Sequence, residues 1–168
     1  VLACTRAGSA AQDRRICNSA AWGQSAGLGG SVFFDQGYLG ASLGGNRSFY
    51  GTVAEDQVTI GMKSDRAALE GEIRGLGGPL QSLKVQLGRS VYAHTEFEAG
   101  VPGTAFRNQG TDLRLQARHA SLGALDGVWG LQIERSRFSA DGTEAFAPYS
   151  STGQQAVFAH EELPTAWG

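Results

Sequence analysis

Along most of this chain apolar and polar residues alternate one for one. The clearest stretch is Leu113-Arg114-Leu115-Gln116-Ala117-Arg118, where Leu113, Leu115 and Ala117 leave one face and Arg114, Gln116 and Arg118 the other. A period of two marks a strand, because successive side chains project to opposite sides of a pleated backbone. The pattern recurs several times with no helical stretch between, which predicts an antiparallel meander with one apolar and one polar face.

Punctuation by turn residues divides the meander into about seven strands. Residues 1–22 show no consistent period and read as an irregular lead-in; residues 23–168 read as one partial β-barrel domain. The first strand runs from about Gln24 to Phe34, and Asp35-Gln36-Gly37 is a hairpin signal into a second, where Leu39, Ala41 and Leu43 share a face. A polar connection at about Ser48 to Glu55 leads to a third strand, about Gln57 to Arg74, and Gly77-Gly78-Pro79 turns it into a fourth, about Leu83 to Glu96. A longer loop with Gly100, Pro102 and Gly103 precedes the fifth strand, Phe106 to about His119. Ser121 to Gly127 turns it into a sixth around Trp129, Leu131 and Ile133, and a third long loop, about Ser139 to Gly153, precedes a seventh from Gln154 to about Glu162.

Short turns thus alternate with long loops, which places all long loops at one end. The strands also far exceed the usual length of about 5–6 residues. Both traits are expected of a transmembrane β-barrel, whose strands continue beyond the lipid. No run of about 18 apolar residues occurs, which excludes a transmembrane helix but not a transmembrane strand. A net charge near −2 offers no field to gather nucleic acid. Cys4 and Cys17 match neither a zinc ribbon nor a redox CxxC motif; a disulfide and a pair of free thiols both stay open.

Glu70, Glu72, Lys84, Gln86, Asp112, Arg114, Gln116, Arg118, Gln132 and Glu134 fall opposite the apolar stripe. In a soluble barrel that face is outside; in a membrane barrel it lines the lumen, and alternation alone does not choose. Phe33, Phe34, Tyr38, Tyr92, Trp129 and Phe138 near strand ends fit interfacial girdles, and fit ordinary core or edge aromatics equally.

Several phrases carry a family resemblance. Tyr92-Ala93-His94-Thr95-Glu96-Phe97-Glu98, Gly103-Thr104-Ala105-Phe106-Arg107-Asn108-Gln109-Gly110 and Phe138-Ser139-Ala140-Asp141-Gly142-Thr143-Glu144-Ala145-Phe146-Ala147-Pro148 follow in order, after Arg14-Arg15-Ile16-Cys17-Asn18-Ser19 and Tyr38-Leu39-Gly40-Ala41-Ser42 with Tyr50-Gly51. Together they resemble the barrel of TonB-dependent outer-membrane receptors, particularly the subgroup for zinc and metal-complex uptake. The resemblance covers nearly everything after about Asp13. It implies a 22-stranded plugged barrel in the bacterial outer membrane, importing a metal ion or metal complex (zinc, siderophore or haem class) with energy from its partner TonB. With about seven strands, and no recognisable plug, TonB box or closing strand, the chain reads as an internal fragment that does not transport alone.

His94, Glu96 and Glu98 are spaced by two, so an extended strand sets all three on one face, and imidazole with carboxylates suits Zn²⁺. The competing reading is a solvated strand tip. Receptors of this kind carry a further acidic residue in the next loop, where this chain has Ala99-Gly100-Val101-Pro102; Asp141 and Glu144 are the substitutes available. His119 and His160 lie elsewhere and read as interfacial or packing residues.

No enzyme signature is present: no Gly-x-Ser-x-Gly elbow, P-loop or His-Glu-x-x-His, and no cofactor motif. Glu70 and Glu72 are more simply lumen-lining charges than a glycosidase pair. The alternatives to an active receptor are a small soluble or secreted β-barrel binding an apolar ligand, and a passive porin-like channel segment.

Overall fold

The computed structural model describes residues 4–6 and 15–165; half of the lead-in, with Arg14 of the matching phrases, lies outside the described residues. The chain is all-β. Its seven strands are β1 (Ala21–Phe34), β2 (Gly37–Gly51), β3 (Val58–Arg74), β4 (Leu80–Glu98), β5 (Val101–His119), β6 (Asp126–Asp141) and β7 (Ser150–Glu162). Each pairs antiparallel with its neighbour in sequence, giving one sheet in the order β1 to β7. The sheet is open, and β1 and β7 are its edges.

The expected meander is therefore present, with strands longer than alternation alone delimits. β1 starts at Ala21, inside the stretch read as lead-in, and β6 runs on to Asp141. One expectation is corrected. Connections 35–36, 75–79 and 120–125 lie at one end, here the near end, and 52–57, 99–100 and 142–149 at the far end, so the ends do not separate into short turns and long loops. The β4–β5 connection is a two-residue hairpin of Ala99 and Gly100, with φ of 48° and 83°. Positive φ at both central residues matches the right-handed twist of the flanking strands. Pro102 and Gly103 lie within β5, next to a register shift between Thr95 and Phe97, and a bulge of this kind is where a strand tolerates proline.

Among the described residues no second layer covers the sheet. A globular chain of 17.6 kDa exposes about 7,900 Å², whereas this one exposes 11921 Å². Among the described residues Phe106 and Ala140 are the buried hydrophobic ones, while Leu28, Val32, Leu43 and Val157 are at least 63% exposed. Backbone ladders hold the wall together; a packed interior does not.

The described part of the lead-in is fastened to the far end. Cys4 and Cys17 form a disulfide, which settles the open question in favour of the bridge, and Thr5 pairs with Ile16 inside it. Asn18 Nδ2 donates towards the carbonyls of Thr52, Glu55 and Val58 at 3.0, 2.9 and 2.6 Å. Arg6 meets Asp56 at 2.8 Å.

Candidate functional site

The registers sort every strand residue onto one of two faces. On the first, the belt face, three consecutive cross-strand rows near the near end are almost wholly apolar. They read Phe34, Gly37, Ile73, Leu83, Ala117, Trp129, Ala159; then Val32, Leu39, Gly71, Val85, Leu115, Leu131, Val157; then Gly30, Ala41, Leu69, Leu87, Leu113, Ile133, Gln155. Trp129 and Phe34 stand at their near-end border.

Behind that belt, on the network face, lies a continuous polar array. Glu70, Gln86, Arg114 and Gln132 form one row, and Glu72, Lys84 and Gln116 the next. The Glu70 carboxylate accepts from the Tyr38 hydroxyl, from Gln86 Nε2 at 2.6 Å, and pairs with Lys84 Nζ at 3.0 Å. Arg74 meets Glu72 at 3.0 Å, and Arg114 donates to Gln132 at 3.3 Å, which in turn donates to Glu134. Gly130 leaves room here for the Phe158 ring, which would have to shift if a Cβ were present, since that Cβ would fall 2.0 Å from it. That ring carries the Arg114 guanidinium 4.5 Å from its centroid, a favourable cation–π geometry.

Toward the far end the two faces exchange character. The belt face becomes basic, with Arg89 and Arg135 in the next row and Arg137, Arg107, Lys63 and Arg47 beyond it. Arg47 forks onto Asp65 at 2.8 and 3.1 Å. The network face becomes aromatic: His94 stacks on Phe106 at 4.5 Å, Tyr92 meets His94 edge-on at 5.5 Å, and Phe138 and Phe146 flank Phe106 at 6.4 and 6.1 Å. Phe106 is 8% exposed, so the chain's small core lies in this cluster.

All the polar residues expected to share a face do so: Glu70, Glu72, Lys84, Gln86, Asp112, Arg114, Gln116, Arg118, Gln132 and Glu134 lie together on the network face. The expected metal ligands are not assembled. His94, Glu96 and Glu98 do share the network face, yet His94 Nε2 is 3.9 Å from Glu96 and its ring lies flat against Phe106. Asp141 pairs with Ala105 and so belongs to the belt face, where it accepts from the Tyr149 hydroxyl and raises that phenol's pKa. The backbone N–H of Glu144 donates to Thr104 Oγ1 at 3.0 Å. Among the described residues no three His, Cys, Asp or Glu side chains converge as metal ligands. Strand parity separates Asp141 from the others, and packing occupies His94.

The expected girdle also divides. Phe34 and Trp129 lie on the belt face, but Phe33, Tyr38, Tyr92 and Phe138 lie on the network face. His119 is a packing residue, 2% exposed. Its Nδ1 is 2.8 Å from the Ala120 carbonyl and its Nε2 2.9 Å from Glu161, which also accepts from Trp129 Nε1 at 2.8 Å.

The basic group and the Phe106 cluster escaped sequence reading. Their signal is a change of phase: on β5 the apolar positions are Leu113 and Leu115, but farther along Phe106 is apolar while Arg107 and Gln109 are polar. No protein-family model matches the chain.

Proposed function

We propose that this chain is a stretch of the wall of an outer-membrane β-barrel, of the TonB-dependent receptor kind that its phrases resemble, serving active uptake of a metal ion or metal complex. The exchange of polarity between the two faces carries the reading. A strand crossing lipid is apolar outside and polar inside; once it rises clear of the bilayer, its outer side meets water and headgroups, and its inner side is free to pack. The belt face is then the lipid side and the network face the lumen side, with the far end outward.

The open edges of β1 and β7 suit a wall continued by further strands, since unpaired edges are otherwise liabilities. A closed soluble barrel needs an enclosed interior, which this open sheet does not offer. The disulfide suits an oxidising compartment outside the cytosol. In this reading TonB energises the full receptor, the Phe106 cluster gives an incoming complex a flat aromatic wall, and metal ligation falls to other parts of the receptor. Spin labels placed singly at residues 113–118 of the membrane-inserted receptor test it. Labels at Leu113, Leu115 and Ala117 should be relaxed by lipid-dissolved oxygen, and those at Arg114, Gln116 and Arg118 by a water-soluble nickel chelate. Loss of that alternation sinks the reading.

A further inference from the structure

Arg118 pairs with Val128 and Gly127 with Glu161, so His119, Gly127 and Glu161 lie side by side at the near end, one row outside the apolar belt. His119 and Glu161 stand on strands that are not neighbours, and the bond between them has to cross β6. Gly127 provides the passage, since a Cβ there would overlap the Glu161 carboxylate. Trp129 closes the arrangement from the belt side. Its indole N–H donates to Glu161 Oε1 at 2.8 Å, and its ring centroid lies 4.9 Å from that of His119.

The partners fix the state of the imidazole. Nδ1 meets the Ala120 carbonyl at 2.8 Å, and Nε2 meets Glu161 Oε2 at 2.9 Å. A carbonyl only accepts, and so does an ionised carboxylate, whereas a neutral imidazole has one N–H and one lone pair. The neutral ring would therefore set a lone pair against an acceptor oxygen, at a residue only 2% exposed. The protonated ring satisfies both partners.

We propose that His119 is a proton-operated latch: as imidazolium it ties the end of β5 to the end of β7 across β6, and on losing its proton it lets the near end of β7 go. The latch is independent of the membrane reading, since its contacts form whether or not lipid covers the belt. β7 is an edge of the sheet, so no strand among the described residues holds its outer side when the latch opens. Glu161 on β7 and Asp126 at the start of β6 both favour the imidazolium. β4 presents Leu80 opposite the ring, and connections 75–79 and 120–125 carry no charged residue. His160 is exposed and meets Glu162 at 3.3 Å. The Ala120 carbonyl and then Glu161 hold the ring's pKa above its ordinary value of 6.5. The latch is thus complete below the unfolded value and lost as pH rises through the folded one.

Two measurements on the folded full-length protein test the latch. NMR of an isotopically labelled His119 ring should show both nitrogens carrying protons at about pH 7. Hydrogen exchange at the amides of 126–129 and 159–162, corrected for the pH dependence of intrinsic exchange, should lose protection on the order of tenfold between about pH 5.5 and about pH 9. The amides of 52–58 at the far end should not change. His119→Gln should give equal protection at both pH values. Glu161→Gln, whose amide can donate to a neutral ring or accept from a charged one, should keep the protection and flatten the response. A His119 ring that titrates at or below 6.5, or a wild-type pH response persisting in His119→Gln, overturns the proposal. The ring measurement decides by itself should either variant fail to fold.

Discussion

His94 lies face to face with Phe106 across the β4–β5 pair, ring centroids 4.5 Å apart and planes 14° from parallel. A histidine held this way acts as an aromatic packing element, and its buried Nδ1 has no hydrogen-bond partner. His94→Phe should therefore keep the stack and remove an unsatisfied polar atom, raising stability by about 1 kcal/mol in urea titration of the folded protein. His94→Ala should leave zinc affinity unchanged in calorimetry; a weakened zinc isotherm would restore the ligand set first read from the sequence.

A second expectation concerns the two faces. On the proposed membrane reading, Leu115→Arg places a charge in the middle of the apolar belt and should destabilise the fold in vesicles by about 2–4 kcal/mol. Gln116→Arg, one residue on and on the network face, should change it by less than about 1 kcal/mol. Similar costs at both positions would remove the assignment of faces.

At the near end, Glu161 joins β5, β6 and β7 by accepting from both His119 and Trp129. Glu161→Ala strands a histidine that is only 2% exposed and should destabilise by about 1–3 kcal/mol. Glu161→Gln, which keeps an acceptor for Trp129, should recover part of that loss in the same denaturant titration.

The Asn18 clamp predicts a local effect. Its φ of 50° is tolerated by asparagine and glycine better than by other residues. Asn18→Gly should loosen residues 52–58 through loss of the side-chain donor alone, and Asn18→Ala should loosen them further through backbone strain. Hydrogen exchange at the amides of 52–58 reads both, and unchanged protection would show that the clamp contributes nothing.

Strand identity and sidedness were legible because a period of two is a direct projection of pleat geometry. Leu113 to Arg118 sort in the folded sheet as their alternation predicts. The β4–β5 connection was less legible because Gly100, Pro102 and Gly103 all weaken a strand reading locally, whereas pairing with β4 and the irregularity at Thr95 and Phe97 keep Pro102 and Gly103 in β5. The arrangement around the candidate metal ligands was not legible for a different reason. Spacing by two places His94, Glu96 and Glu98 on one face, but it carries no information about Phe106, which reaches His94 from the partner strand, or about the parity that puts Asp141 behind the wall. The basic group required the phase change on β5 to be combined with the registers of β4 and β6, a nonlocal fact.

If the wall sits in a membrane as proposed, the exchange of polarity between the faces also works as a waterline. Sinking the wall by one row would carry Arg89 and Arg135 into hydrocarbon, at about 2–4 kcal/mol each at full depth. Raising it by one row would lift Leu87, Leu113 and Ile133 out of hydrocarbon, at roughly 1.5–3 kcal/mol for each side chain fully exposed. Both displacements would be uphill, so in that setting the order of the side chains would by itself set the depth at which the sheet floats.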